Sequence, residues 1–424
     1  MTLPPAASLH QSAESVYSHW QRLNRWLQVH QPLWRPAPFM EPRPGWTERY
    51  PELAGVVASF SDHDCDGFED NPGRLAQCLS GWLPSLAERH ALVSLPTMTE
   101  GATAVAASTL PETRATDMPG RKRLQAGAFT AALLPLSEPV IDWCCGKGHL
   151  ARTLAARCPS QVTGLEWDES LVVDGNRLAR QYQDRVTLRS QDVMAADLRL
   201  APDSHGVALH ACGDLHRRLI RRASEDGLSR VSFSPCCYHL TATEFYQPLS
   251  DRVNGCEEAL NLQRAELRLA VQETVTAPAR VRSQTAQVSC WRLGFDGLQR
   301  ELREVDDYLP VPSHPAHLAG GDFEGFCRWA AGKKGLSLPA ETDFARWQRH
   351  GERRFAQVRR HELVRHLFRR PLELWMVLDY ALFLEEQGYE VKLGTFCERA
   401  LTPRNLLVDA IRVCGNPPAQ HSHP

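Results

Sequence analysis

At 424 residues the chain exceeds one average domain, so two units, or one core with large additions, are expected. With 43% hydrophobic and 23% charged residues and a net charge of −2, it reads as a soluble globular protein, and the charge by itself points to no polyanionic partner. No uncharged apolar run reaches membrane-spanning length, the N-terminus lacks the regions of a signal peptide, and thirteen cysteines with two adjacent pairs point to free thiols in a reducing, cytoplasmic setting.

Residues 1–115 read as a separate, mostly helical region. Trp20, Leu23, Trp26 and Leu27 follow a helical spacing, as do Leu75, Leu79 and Leu83. Pro-rich turns lie around 36–44 and an acidic loop at 62–70. Asp62-x-Asp64-x-Asp66-Gly67 imitates the start of a calcium loop, but Gly73 stands where a bidentate Glu is needed, which leaves a solvated acidic loop. A Pro/Thr/Ala-rich stretch near 101–118 is the linker candidate.

From 116 to 240 short apolar runs alternate with helical patterns, the signature of a doubly wound parallel sheet. Val140 and Ile141 end in Asp142, a glycine-bearing turn follows, and Leu150, Leu154 and Ala155 open a helix. Strand, Gly-x-Gly and helix bring backbone close to a nucleotide-type cofactor, with Gly146 and Gly148 letting the main chain pass under the ligand without a Cβ in the way. A plain structural turn would carry the same two glycines, so the next strand ends decide. The run 162–166 ends in Glu166, placed to accept hydrogen bonds from two ribose hydroxyls. The run 186–190 leads to Asp192 beside Val193, an acceptor and an apolar wall that suit an adenine. A fourth run (206–210) leads through His210 to Cys212, Gly213 and Asp214, and a fifth (230–234) to Pro235-Cys236-Cys237-Tyr238-His239. There is no intact Gly-x-Gly-x-x-Gly, because Cys144 and Cys145 stand where a dinucleotide fold needs room for a pyrophosphate, and there is no phosphate loop ending in Gly-Lys-Ser/Thr.

The alternation lapses over 241–370, which reads as a mainly helical, basic insertion. It contains helical patterns at 241–270, a strand pair around 268–276 and 287–295, and an arginine-rich segment at 342–370. The sheet pattern resumes over 371–415, with a helix at 372–386 and strands at 390–396 and 406–413. The Pro/His-rich tail 416–424 reads as disordered.

The segments Asp142 to Leu150, His210 to Leu215, Pro235 to His239 and Thr402-Pro403-Arg404-Asn405 resemble class I S-adenosylmethionine-dependent methyltransferases. More narrowly they resemble the methyltransferase-like protein 25 group (methyltransferase domain family 32). The cysteine-glycine and Cys-Cys-x-His features are similar to those of eukaryotic tRNA 2′-O-methyltransferases. The resemblance covers 119–240 and 371–415. It implies an α/β, doubly wound, mostly parallel seven-stranded Rossmann-like sheet interrupted by its own insertion. It implies S-adenosyl-L-methionine as cofactor, with Asp142, Cys144, Gly146, Gly148, Glu166, Asp192, Val193 and His210 around it.

Methyl transfer from a sulfonium needs an in-line nucleophile and water exclusion more than acid–base help. For an oxygen or nitrogen acceptor a general base helps, and His210, Asp214 and His239 lie at the strand ends nearest the expected methyl group. Tyr238 is placed to orient or stack on a substrate ring, and Cys236, Cys237 and His239 are expected to face the substrate. Hydrogen-bonded structural histidines are the alternative. Adjacent cysteines are poor geometry for one tetrahedral ion, so no metal site is expected. A thiolate attacking a base, as in cytosine C5 methylation, would find its Pro-Cys context in Pro235-Cys236.

Segment 346–370 carries nine arginines against two glutamates, interleaved with Trp347, Phe355 and Phe368. Such a patch suits a phosphate backbone, with Arg353, Arg354, Arg359 and Arg360 as RNA contacts and Arg404 and Asn405 as further substrate contacts. A salt-bridged helix face is the alternative. The expected function is therefore S-adenosylmethionine-dependent methylation of RNA (tRNA or rRNA). A protein or small-molecule methyltransferase with the same core, and an inactive cofactor-fold binding module, are the alternatives.

Overall fold

The computed structural model describes residues 14–272, 279–313 and 320–413. Its centre is one seven-stranded sheet made of β1 (Val140–Trp143), β2 (Val162–Glu166), β3 (Val186–Ser190), β4 (His205–Cys212), β5 (Arg230–Cys236), β6 (Tyr389–Thr395) and β7 (Leu406–Arg412). The spatial order is β3-β2-β1-β4-β5-β7-β6; the first five strands run parallel, and β7 lies antiparallel between β5 and β6. The helices His149–Ala155, Glu169–Tyr182 and Asp214–Asp226 make the crossovers. Covered on both faces, the inner strands are short apolar runs, and all of β5 is buried. This is the Rossmann-like methyltransferase architecture that the sequence implied, and it brings the polar ends of β1 to β5 to one edge.

A buried polar network fixes β7 beside β5. Arg230 grips Asp409 with two parallel hydrogen bonds (2.8 and 2.9 Å), Ser232 Oγ donates to the same carboxylate at 2.6 Å, and the His205 ring meets Ser232 Oγ at 2.6 Å. A charge-assisted fork of this kind specifies geometry as well as affinity. It ties the late strand pair to a sheet whose other members end at residue 236.

The N-terminal helices, read as a separate region, pack onto the helix that precedes β6. Helix Val16–Val29 packs on helix Arg369–Glu386 through the Trp20 and Trp375 rings, 5.8 Å apart, and Asn24 Oδ1 accepts from Trp375 Nε1. One apolar cluster runs from Trp20, Trp34 and Trp46 to Phe233, Trp375 and Val408. The 62–70 segment is a helix rather than a loop, begun by a capping box in which Ser61 and Asp64 satisfy each other's backbone N–H. The linker candidate contains helix Ala102–Ser108, packed on Gly120–Ala132.

The strand pair expected around 268–276 and 287–295 is absent among the described residues. Leu269–Val271 is a 3-10 turn, residues 273–276 lie outside the described residues, and Ala279–Arg303 is one 25-residue helix. Trp291, Phe295, Leu298 and Leu302 recur at helical spacing and pack on Phe323, Phe326 and Trp347, so the helical period wins over local alternation. The tail 416–424 lies outside the described residues. None of the described helices is long and apolar enough to cross a membrane.

Candidate functional site

The turn after β1 is held from two sides. Cys144, Gly146 and Gly148 all have positive φ (58°, 56° and 67°), and Cys145 N donates to Leu165 O on β2. A Cβ at Gly148 would stand 2.9 Å from the Leu188 side chain on a left-handed backbone, which favours glycine there, whereas the space over Gly146 is open to 4 Å. Asp142 is 2% exposed and accepts from Ala151 N at 2.9 Å, capping the helix that follows the turn. Burial pushes its carboxyl up to about 7, against the pull of that N–H and with a further push from Glu166.

Glu166 is also buried and already engaged. Its oxygens accept from Gly146 N (2.9 Å), Trp167 N (3.0 Å) and Asp168 N (3.1 Å). A carboxylate offers about four acceptor positions, so one remains for a ligand hydroxyl. The expected pair of ribose contacts is therefore reduced, and Glu166 is first the anchor of the glycine turn. Asp192 is exposed, accepts from Met194 N at 2.8 Å and lies beside buried Val193 as expected. The sequence reading missed Trp167, an indole 77% exposed at the end of β2, and Met194, 47% exposed next to Asp192. Two large apolar groups left in solvent at this edge are platforms for a flat ring. An aromatic directly after a strand-ending acid was the available signal.

At β4 and β5 the structure redraws the expected catalytic set. The β4–β5 register slips between Leu209 and Cys212, and His210 takes φ 63°. Its ring is neutral, pushed down to about 4 by burial and then by Arg404, and its Nδ1 is buried without a hydrogen-bond partner. A base that weak accepts a hydrogen bond better than it abstracts a proton. Asp214 opens the helix Asp214–Asp226, accepts from Ala242 N (2.9 Å) and lies 3.9 Å from Arg217, so it helps to hold the loop after β5 and keeps acceptor positions free. Tyr238 is buried, its hydroxyl donates to Glu373 at 3.4 Å, and its ring meets His216 edge-on; it is a core residue rather than a stacking platform. His239 is half-buried, with its Nδ1 unpartnered.

Three cysteines converge where β4 and β5 end: the Sγ atoms of Cys212, Cys236 and Cys237 all lie within 4.8 Å of one another, and Cys212 and Cys236 are 3.6 Å apart. Adjacent cysteines were expected to be poor geometry for one tetrahedral ion, and on a regular strand neighbouring side chains do point to opposite faces. Cys237 escapes it by leaving the strand with φ 49°. Left-handed backbone at a non-glycine costs on the order of 1–2 kcal/mol, and Cys144, His210 and Cys237 place it at three neighbouring strand ends. Hydrogen bonds from Cys212 and Cys236 pull the Cys237 thiol down, with Arg404 and His239 assisting, and Cys236 is pushed up correspondingly. Cys236 is 3% exposed, so attack on a base, which its Pro-Cys context suggested, has no open path to its sulfur. Burial pushes Cys144 up to about 12 and Cys145 upward as well, so the β1 pair stays neutral.

The arginine-rich helix Phe344–His366 is knitted into the protein. Arg359 pairs with Asp66 and with Glu69 (3.0 Å), Arg360 with Asp62 (3.5 Å) and Phe60 O (2.7 Å), and Arg346 with Glu301 (2.7 Å). Arg354 donates to Pro38 O and Gln357. The expected phosphate contacts Arg354, Arg359 and Arg360 are therefore structural, satisfied largely by the acidic helix that the sequence showed as a solvated loop; Arg353 is exposed. Asn405 is buried too, accepting from Arg370 (2.9 Å) and donating to Cys397 O. Arg404 stands beside the thiols, with Nη2 on Val271 O and Nε buried and unpartnered.

Residues 134–244, about a quarter of the chain, match the family described as "Methyltransferase domain". The mouse (Mus musculus) glutathione S-transferase C-terminal domain-containing protein is 29% identical over 145 residues, 32% of this chain and 22% of that one. The chain thus spans about a fifth of the length of that relative. Among solved structures, the Pyrococcus abyssi tRNA (uracil-54, C5)-methyltransferase with S-adenosyl-L-homocysteine is 18% identical over 27% of this chain and 29% of its own, with a TM-score of 0.23. The glycopeptide N-methyltransferase MtfA with S-adenosyl-L-methionine is 22% identical over 26% and 52%, with a TM-score of 0.22.

The family match and the sheet order liken 134–244 to a methyltransferase domain, a fold whose methyl donor is S-adenosylmethionine. The residues present fit that donor. The space over Gly146 is open, Glu166 keeps one acceptor, Asp142 is an anion in waiting for a cation, and Trp167 and Met194 offer apolar faces.

Proposed function

We propose that this chain is an S-adenosylmethionine-dependent methyltransferase acting on RNA, tRNA or rRNA being the favoured class. The donor, when bound, supplies an electrophilic methyl group on sulfur; the protein has to place an acceptor in line with it and keep water away. Neutral His210 stands at the strand end where the methyl is expected and can orient an acceptor hydroxyl or amine there.

The observation that carries the RNA reading is a cavity of about 210 Å³ lined by Arg89, His366, Arg369, Arg370, Arg399 and Glu373 and closed by Asn405 at the start of β7. Glu373 binds the Tyr238 hydroxyl, and Ser234 Oγ donates to Arg404 O, so this cavity adjoins the carboxyl end of β5. Arg89 is pushed down to about 10 by burial and then by the charges of Arg370 and Arg399; the cavity's one carboxylate, Glu373, pairs with Arg370 at 2.8 Å, so the four guanidiniums leave an excess of positive charge that suits a phosphate. This support rests on Arg369 and Arg370 at the end of the 346–370 segment, together with Arg89 and Arg399, rather than on Arg354, Arg359 and Arg360, whose donors are satisfied within the protein.

Tritiated-methyl transfer into separated RNA and protein fractions tests the reaction. Arg369→Gln with Arg399→Gln should weaken tRNA binding and flatten the slope of log affinity against log salt by about one to two, at roughly 0.7–0.9 per phosphate contact, while S-adenosylhomocysteine binding stays unchanged. An unaltered slope, with label entering protein or a small molecule, would return the acceptor to those classes.

A further inference from the structure

We propose that Cys212, Cys236 and Cys237 form a three-thiolate site for a soft divalent metal ion, zinc by chemical class, at the acceptor end of the sheet. The first argument is distance. Tetrahedral zinc with sulfur at about 2.3 Å separates its ligand atoms by about 3.8 Å. Here Cys212 and Cys236 are 3.6 Å apart and all three sulfurs lie within 4.8 Å, so a change of at most about 1 Å in any sulfur–sulfur separation closes the site.

The second argument is how much of the backbone is arranged to achieve this. From His205↔Arg230 to Leu209↔Ser234 the two strands pair residue for residue; the bulge at His210 then sets Cys212 opposite Cys236. Without it, Cys212 would stand opposite residue 237. The left-handed turn at Cys237 supplies the third sulfur from the neighbouring position. Gly213 follows with φ 55°, and a Cβ there would fall 1.9 Å from Leu240 O, so the loop after β5 closes onto β4 only over glycine. Gly213 N to Cys236 O (3.0 Å), Asp214 N to Leu240 O (3.0 Å) and Leu240 N to Cys237 O (2.8 Å) lock that loop. Ligands held this way are preorganised rather than gathered by the ion.

The third argument is charge and coordination number. Three thiolates on a divalent ion carry one net negative charge, and the Arg404 guanidinium, with a buried unpartnered Nε, stands against the cluster to offset it. No fourth Cys, His, Asp or Glu atom among the described residues belongs to the group. Three protein ligands and one open position make the arrangement found at catalytic rather than structural zinc. The open position lies at the strand ends where an acceptor would be presented, so the ion could take an acceptor's soft or anionic atom directly. The site is independent of whether that acceptor is RNA.

The test uses the full chain, reduced and stripped with a chelator, then titrated with Co²⁺ and Zn²⁺. One equivalent of Co²⁺ should bind with a thiolate-to-metal charge-transfer band, and Zn²⁺ should displace it. Zn²⁺ should also protect Cys212, Cys236 and Cys237, but not exposed Cys78, from alkylation read by peptide mass spectrometry; this readout needs no variant. Cys237→Ser should lower metal affinity by at least about 100-fold with S-adenosylhomocysteine binding and the far-ultraviolet spectrum retained, whereas Cys144→Ser should leave it unchanged. Binding well below one equivalent, alkylation of the three thiols at the same rate with and without Zn²⁺, or full affinity in a folded Cys237→Ser protein would each overturn the assignment.

Discussion

Replacing Asp142 by Asn isolates the one carboxyl at the cofactor edge that the fold keeps protonated. Asp142 lies wholly inside, under the glycine turn, and holds its proton to about pH 7 where an ordinary aspartate loses it near 3.8. Between those two values the folded state binds more protons than the unfolded chain, so stability falls as pH rises through that window. The slope is about 1.4 kcal/mol per pH unit, which accumulates to about 4 kcal/mol by neutrality, an upper figure because a little water penetration would soften it. Asn keeps the acceptor for Ala151 N and removes the ionisation. Urea unfolding of both proteins from pH 4 to 8 should therefore show Asp142→Asn gaining stability relative to the wild type as pH rises, by a few kcal/mol at pH 8. The same carboxyl is the natural anion for a ligand ammonium. Calorimetry in two buffers of different ionisation enthalpy should show S-adenosylhomocysteine binding releasing just under about one proton at pH 6 and almost none at pH 8.5, with the release gone in Asp142→Asn. A stability difference between the two proteins that does not change with pH would falsify the buried-proton argument, whatever the affinity does.

Trp167→Ala should weaken S-adenosylhomocysteine binding by roughly ten-fold, a stacking contact of about 1–1.5 kcal/mol, and leave urea stability within about 0.5 kcal/mol because the indole is in solvent. Equal affinity in titration would remove Trp167 from the cofactor edge. Arg359→Gln with Arg360→Gln should leave the salt slope of tRNA binding untouched and lower stability by about 1–2 kcal/mol, as partly exposed ion pairs to the 62–70 helix are lost. A flattened slope with unchanged stability would restore those arginines to a polyanion.

The parts of this protein legible in its sequence are those in which local pattern and tertiary role coincide. Strands buried on both faces have to be short apolar runs, so β1 to β5 stood out, with Asp142, Glu166 and Asp192 at their ends, and the late strand pair could be placed by the resumed pattern. The arginine segment misled because charge was counted along the chain, while Asp62, Asp66 and Glu69, which neutralise Arg359 and Arg360, lie nearly 300 residues away in sequence. The thiol cluster was illegible for a sharper reason. A sequence announces left-handed backbone through glycine, as at Gly146, Gly148 and Gly213, and the turn after β1 was readable on that account. Cys144, His210 and Cys237 adopt the same backbone without being glycine, so strand alternation extrapolated through them points their neighbours the wrong way. The expectation that adjacent cysteines cannot share one ion holds for ordinary strand backbone, and Cys237 does not have it. Local rule and native conformation conflict at three adjacent strand ends, and nothing in the fold of the sheet requires it, since β2 and β3 end without such residues. On the proposed function this edge is where an acceptor would meet the methyl donor, and a conflict retained there is strain kept for chemistry.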